Sequence, residues 1–283
     1  MGYKNVVLVG ASGSIGKIIL EGLIVAGTFN IIVISRKEST ATFPPGVAIY
    51  KSDFSDADLR SAFKGQDVVI SALGATSFGE QKKLADAAVA AGVKRFLPSE
   101  FSSSSQDAAV LQLLPLFSQK SELIEYLSRS NPLVFLGQAL LPLSCLTGTA
   151  TVWDGGNKQF TLTNEKDLAT AVVSVLKYPE ETANKYIFIS SVETTQNEIL
   201  TALEEATGSK WTVKNTTTKE QVESALQKLG AGDFSGAFAL VRATSYSNTP
   251  GLKSNYAKDE MLSNDLLGLK PTSVTETVKH VVA

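Results

Sequence analysis

The sequence has one cysteine, Cys145, and one histidine, His280, in 283 residues. A lone cysteine excludes a disulfide framework within the chain. Set in the apolar stretch "LPLSCLTG", Cys145 reads as a small core residue rather than a nucleophile. A lone histidine three residues from the last position argues against a zinc site or a Ser-His-Asp triad, so no metal is expected. Surplus charge is missing too: 26 Lys and Arg face 28 Asp and Glu, a formal net charge of −2. No basic field therefore points to nucleic acid or to an anionic membrane. No charged-then-apolar leader opens the chain, and no run of about 18 uncharged apolar residues occurs. The expectation is an intracellular, cytoplasmic protein with no membrane partner, monomeric or homodimeric. With 43% hydrophobic residues the chain can bury a large core, as one large domain or two unequal lobes.

What is present is an alternation of two periods. "KNVVLVG" is a continuous apolar run, as a strand buried on both faces requires. Ile15, Ile18, Ile19 and Leu23 then follow helical spacing up to Gly27. "NIIVIS" and "VAIYKSD" are the next strands. Ser55 is placed to cap a helix carrying Asp56 and Asp58 in its first turn and Leu59, Ala62 and Phe63 on its inner face, closed by Gly65. "DVVISALG", a helix over 80–91 and "KRFLPS" continue the pattern. After "SSSSQD", which reads as a mobile loop, come a helix near 114–129 and a sixth strand, "LVFLG". This alternation predicts an α/β fold, a Rossmann-type doubly wound parallel sheet. Less regular pieces follow: a strand, turn and helix in "KQFTLTNEKDLATAVVSVL", a strand in "KYIFISS" and an amphipathic helix ending at Gly208. They predict a smaller α+β substrate-binding lobe, giving a dinucleotide-binding domain over 1–137 and the lobe over 138–283. The boundary is blurred, because such lobes return strands to the main sheet.

The stretch "GASGSIG" joins the first strand to the first helix. In that context Gly10 allows a sharp turn, Gly13 lets a pyrophosphate approach the backbone, and Gly16 lets helix pack on strand. Ser12, Ser14 and Ile15 complete the phosphate-binding set at the helix N-terminus. The competing reading is a tight strand-helix turn without ligand. The second strand ends in "ISRKES", where an NAD site would place Asp or Glu for the ribose hydroxyls. A guanidinium at Arg36, with Lys37 beside it, suits a 2′-phosphate instead. NADP(H) is therefore the expected cofactor, against the alternative that Arg36 is a solvated loop charge. Asp53 is placed at the adenine edge or is a simple turn residue. Leu73 and Gly74 are expected under the cofactor ribose.

In "PLFSQKSELIEYLSR" a lysine falls on the wrong face. Leu116, Leu123 and Leu127 form one stripe, and Lys120 lies within it, while Glu122, Glu125 and Arg129 point elsewhere. Such a lysine either snorkels out or points into a cavity, where desolvation would lower its pKa and suit it to proton transfer or to orienting a cofactor ribose.

The glycine motif, the basic end of strand two and above all "VKRFLPSEF" resemble the NmrA-like group of atypical short-chain dehydrogenases/reductases. The isoflavone reductase and phenylcoumaran benzylic ether reductase branch is most similar. The likeness is strong over 3–140 and general beyond. It implies a catalytic acid or base at Lys120, which matches by position the lysine on the helix after the "PSEF" loop. Ser102 stands where the branch carries glycine, and the basic run after the lysine is missing. No tyrosine here has a lysine four residues later, so the Tyr-x-x-x-Lys ketone chemistry is not expected. The expected activity is NADPH-dependent reduction of a small, largely apolar aromatic or secondary-metabolite substrate, with hydride passing to an enone, imine or benzylic carbon. Phe101, Gln138, Leu141 and Trp153 are the expected substrate walls, each against the alternative of core packing. Two other functions stay open: a non-catalytic NADP(H)-sensing regulator with a protein partner, and an NADP-binding isomerase, dehydratase or cyclase without net redox.

Overall fold

The structure, a computed structural model, describes residues 2–128, 134–137 and 148–282. Strand β1 (Asn5–Val9) is apolar and buried from Val6 onward. Helix α1 (Ser14–Ala26) buries Ile18, Ile19 and Leu23 and stops at Gly27, whose left-handed φ of +63° turns its N–H back to the Ile24 carbonyl. Then follow β2 (Asn30–Arg36), β3 (Ala48–Ser52) and α2 (Asp56–Phe63). The Ser55 hydroxyl caps α2 by accepting from the Asp58 N–H, and Leu59, Ala62 and Phe63 are buried as expected. Strand β4 (Val68–Ser71), a 3₁₀ turn (Ala75–Glu80), α3 (Gln81–Ala90) and β5 (Arg95–Leu97) complete the alternation. The sheet is five-stranded in the order β3-β2-β1-β4-β5, with every neighbouring pair parallel.

The helix expected near 114–129 is a 3₁₀ turn (Pro115–Phe117) followed by α5 (Ser118–Ser128); a short helix, α4 (Ala108–Leu113), precedes them and does not run on into α5. The cause is Pro115: the residue before a proline is pushed out of the helical region, and Leu114 sits at φ −134°, ψ 75°. Among the described residues, strand β6 (Val134–Gly137) pairs with a later strand and not with the five-stranded sheet. In order, the rest comprises β7 (Thr149–Trp153), β8 (Phe160–Leu162), α6 (Glu165–Lys177), β9 (Lys185–Phe188), β10 (Val192–Thr194), α7 (Gln196–Thr207), β11 (Thr212–Thr216), α8 (Thr218–Gly230), α9 (Ser235–Tyr246), α10 (Tyr256–Asp259), α11 (Asn264–Leu267) and α12 (Val274–Val282). The partner of β6 is β9.

These elements form two compact units that interleave along the chain. The first comprises Met1–Phe101, Ser118–Gly137 and Glu165–Ile187. It holds the parallel sheet and a core built from Val7, Val9, Leu59, Phe63, Leu84 and Leu123, among others. Helix α6 packs against α1 where Gly22 meets Ala169: a Cβ on Gly22 would lie 2.7 Å from the Ala169 Cβ. Glycine to alanine inside a helix ordinarily gains about 1 kcal/mol. Here the sign should reverse. Gly22→Ala is expected to lower stability by about 1–3 kcal/mol through overpacking, read as a fall in the urea midpoint at constant m-value.

The second unit comprises Ser102–Phe117, Gln138–Asn164 and Phe188–Ala283. Its apolar core gathers Phe160, Leu162, Val192, Ile199, Leu203 and Val278. Helices α7 and α8 each begin with a complete capping box, Thr195 with Glu198 and Thr217 with Glu220. The serine run is not the open loop that its composition suggests. Ser103, Ser104 and Ser105 are buried. The Ser103 hydroxyl is 2.5 Å from that of Thr244, the Ser104 N–H donates to the Tyr256 hydroxyl, and the Asp107 carboxylate accepts from the Ala109 and Lys253 N–H groups. Short hydroxylic side chains can be buried when other hydroxyls meet them.

Candidate functional site

The sheet reverses its winding between β1 and β4, and ligands of open α/β sheets bind at the carboxyl ends of the strands at such a point. Gly10 follows β1 at φ +87°, and a Cβ on it would lie 2.6 Å from the Ala72 carbonyl oxygen just past β4. In the first turn of α1, a Cβ on Gly16 would overlap the Gly10 carbonyl oxygen and come within 2.7 Å of the Ala11 Cα. Both glycines are thus demanded by packing. Gly13 is different: its φ is an ordinary −76°, and the nearest atom to a Cβ there would be the Gly10 oxygen at 3.4 Å. Nothing among the described residues requires glycine at this position, and the backbone there is open to a ligand. Ser12, Gly13 and Ser14 are exposed and Ile15 is half-buried. Helix α1 has no side-chain cap at Gly13 and no acid in its first turn. Its leading N–H groups and positive dipole end suit an anion.

The neighbouring loops frame this turn. Leu73 is half-buried and Gly74 exposed. The Ser99 hydroxyl donates to the Leu73 carbonyl at 2.8 Å, and the Ser99 N–H donates to Gln81 Oε1 at 2.7 Å. These bonds tie the loop after β4 to the end of β5. Arg36 ends β2 and is exposed; among the described residues its guanidinium has no carboxylate partner. The register of β2 with β3 pairs Arg36 with Ser52 and so sets Lys37 beside Asp53. Their side chains meet at 2.8 Å, 58% and 46% exposed. The Lys37 hydrogen bond holds the Asp53 carboxyl well below the usual carboxylate range, and the same bond raises Lys37. So exposed a pair is held weakly and can exchange for a ligand phosphate.

Lys120 points inward from the first turn of α5, 2% exposed, on the face that also buries Leu123, Ile124 and Leu127. Its Nζ lies 3.3 Å from Glu100 Oε1 and 5.2 Å from the centre of the Phe78 ring, in the 3₁₀ turn that follows Gly74. Burial pushes its pKa down, and the Glu100 carboxylate acts in the opposite direction. The other carboxylate oxygen, Oε2, accepts from the Tyr186 hydroxyl at 2.5 Å. Glu100 is itself 1% exposed.

A family model described as "NmrA-like family" matches residues 2–247. The chain belongs to the NmrA-like family. The oxidoreductase aprR of Aspergillus flavus is 31% identical over 294 aligned residues, covering 98% of both chains. The phenylcoumaran benzylic ether reductase Betv6 of Betula pendula is 28% identical over 242 residues, 74% of this chain and 76% of its own. The binary complex of leucoanthocyanidin reductase with NADPH from Vitis vinifera has the same fold, with a TM-score of 0.81 at 19% identity over 98% of this chain and 99% of that one. The architecture is therefore the Rossmann-like α/β arrangement of NmrA-like and isoflavone reductase-like proteins.

For an NmrA-like chain the sequence-predicted residues fall into three groups. The glycine turn, with Leu73 and Gly74, is assembled around the ends of β1 and β4, and Arg36 lies at the end of β2, the strand beside β1. Lys120 is joined by Glu100 and Tyr186, which the sequence reading did not single out. Glu100 lies in the "PSEF" stretch that carries the family resemblance; Tyr186 carries no local pattern that would mark it. Two of the four substrate-wall residues are described. Phe101 is buried beside Glu100 in the chain, at 5% exposure. Gln138, Leu141 and Cys145 lie outside the described residues. Trp153 is a core residue of the second unit: 2% exposed, its ring edge-on to Tyr246 and its backbone N–H donating to Gln196 Oε1. For Trp153 these contacts favour the core-packing alternative.

Proposed function

We propose that this protein is an NADPH-dependent reductase of a small, largely apolar substrate, delivering hydride to an enone, imine or benzylic carbon. The observation that carries the reading is the buried Lys120–Glu100 pair, set against the turn that continues from the glycine-lined loops. A structural role alone gives little reason to bury an ammonium in an apolar helix face, because desolvating a charge is costly. The names of the relatives support the same class, since a phenylcoumaran benzylic ether reductase and a leucoanthocyanidin reductase with NADPH are among them.

The residues present fit the dinucleotide. The backbone at Gly13 and the first N–H groups of α1 would hold the diphosphate, with Ser12, Ser14 and Ile15 around it, while Gly10 and Gly16 give the turn its shape. Arg36 would take the 2′-phosphate, with Lys37 joining on release from Asp53, and Leu73 and Gly74 would underlie the ribose. When bound, the nicotinamide supplies hydride. Lys120 carries a proton at Nζ, either given to the substrate as reduction completes or directed to the cofactor ribose. Phe101, with Leu141 and Gln138 as the other wall candidates, would help keep water from the transfer.

Two measurements test this. Arg36→Ala is expected to weaken NADPH binding by about tenfold or more, the worth of one charge-assisted contact, and to leave NADH binding nearly unchanged in the same fluorescence titration. Incubation with 4-deuterated NADPH and a panel of enones, imines and phenylpropanoid ethers should put deuterium into a product two hydrogens heavier than its substrate. A product of unchanged mass, with NADPH unconsumed, would indicate isomerisation or a similar redox-neutral reaction. Binding that discriminates NADP⁺ from NADPH, with no turnover and a co-purifying protein, would indicate a sensor.

A further inference from the structure

A lysine that must hold and release a proton in a buried place needs two things: a fixed direction and a reason to stay charged. Desolvation removes the second. Lys120 receives both from groups outside its own helix. Glu100, on the loop after β5, sets Oε1 3.3 Å from Nζ, and Tyr186, on β9, donates to Oε2 of the same carboxylate at 2.5 Å. Each carboxylate oxygen thus has its own partner, and the carboxylate cannot rotate without losing both. Lysine offers three donors and Glu100 takes one of them.

We propose that Glu100 and Tyr186 are positioning residues for Lys120: the carboxylate aims the ammonium and keeps it protonated, and the tyrosine hydroxyl locks the carboxylate in the rotamer that does so. The catalytic meaning of this arrangement rests on the reductase reading; the arrangement itself does not. Other charges near α5 do not face the lysine. Glu122 and Glu125 are exposed on the helix's own outer side. From α3, Lys82 and Asp86 turn to Tyr126 near the surface, Lys82 over its ring and Asp86 accepting from its hydroxyl. The turn at Ala75–Glu80 presents the Phe78 ring. Among the described residues, Glu100 is the charged group that acts on Lys120.

The sign of the effect follows. An ionised Glu100 raises the pKa of Lys120 above what burial alone would leave. The protonated, acid-competent lysine is lost as pH rises through that pKa. Removing the carboxylate must therefore bring this loss to lower pH, by about one to three pH units for an opposite charge at such a distance.

The test is a titration of the full chain labelled with ε-¹³C-lysine, the Lys120 resonance being assigned by its disappearance in Lys120→Arg. Glu100→Gln should lower the Lys120 midpoint by about one pH unit or more, with Glu100→Asp in between. Tyr186→Phe, which keeps both charges, should move it the same way by less, and carries the test if Glu100→Gln does not fold. Midpoints that coincide with the unaltered protein in all three variants, or that rise, would overturn the assignment. The titration uses neither nucleotide nor substrate. Failure to bind NADPH would sink the reductase reading and leave this result standing; unchanged midpoints would sink the roles of Glu100 and Tyr186 and leave the reductase reading intact.

Discussion

Lys120→Met should remove turnover, lowering kcat by about 10²- to 10⁴-fold, the usual worth of a positioned acid or base, while NADPH affinity stays close to that of the unaltered protein. Methionine keeps an apolar stem of similar length along Leu123 and Ile124 and deletes only the Nζ. The same change leaves the Glu100 carboxylate, 1% exposed, without its cation. Breaking a buried pair by removing one partner costs about 3–5 kcal/mol, so the single variant should also melt earlier. The double variant Lys120→Met with Glu100→Gln separates the two effects. With both charges gone, stability should recover most of the loss and turnover should stay absent. Thermal denaturation and steady-state NADPH oxidation, measured on the same preparations, check both halves. Full activity in the single variant would remove Lys120 from the mechanism.

Gly16→Ala should abolish nucleotide binding, although alanine is the better helix former. The position is helical and would ordinarily gain about 1 kcal/mol from the change. Its Cβ would instead overlap the Gly10 carbonyl oxygen and sit 2.7 Å from the Ala11 Cα, both backbone atoms that no side-chain rotation can move. Either the start of α1 moves away from β1, or the turn opens. In both cases the N–H groups that would grip the diphosphate lose their arrangement. The expected result is a rise of at least about 100-fold in the NADPH dissociation constant, equivalent to about 2.7 kcal/mol, with a destabilisation of about 1–3 kcal/mol. Gly13→Ala is the informative contrast. Nothing among the described residues opposes its Cβ, so it should fold normally and lose affinity alone.

Local physics made much of this fold legible. Gly10, Gly16 and Gly27 were placed correctly because turns and close approaches are dictated within a few residues of chain, and Ser55 because a cap acts on its own first turn. The start of the helix that carries Lys120 was legible through Pro115, whereas the short helix α4 before it was not singled out. The site's other half was not legible, for a different reason. Glu100 reaches Lys120 from a loop twenty positions earlier, and Tyr186 reaches Glu100 from a strand 86 residues away. The Lys37–Asp53 pair exists only because of the register between β2 and β3. The serine run is buried because Thr244 and Tyr256 satisfy it from more than a hundred residues away. None of these pairings leaves a period or a spacing in the sequence; each is created when the sheet and helices assemble.

NADPH-dependent reduction requires a dinucleotide gripped at the end of β1 with its extra phosphate at Arg36. Isothermal titration calorimetry of the purified chain with NADPH and, separately, NADH tests this most directly. The expected result is one-to-one binding of NADPH, tighter than NADH by about tenfold or more. Heats indistinguishable from dilution for both nucleotides would contradict it, and equal affinity for the two would contradict the role given to Arg36.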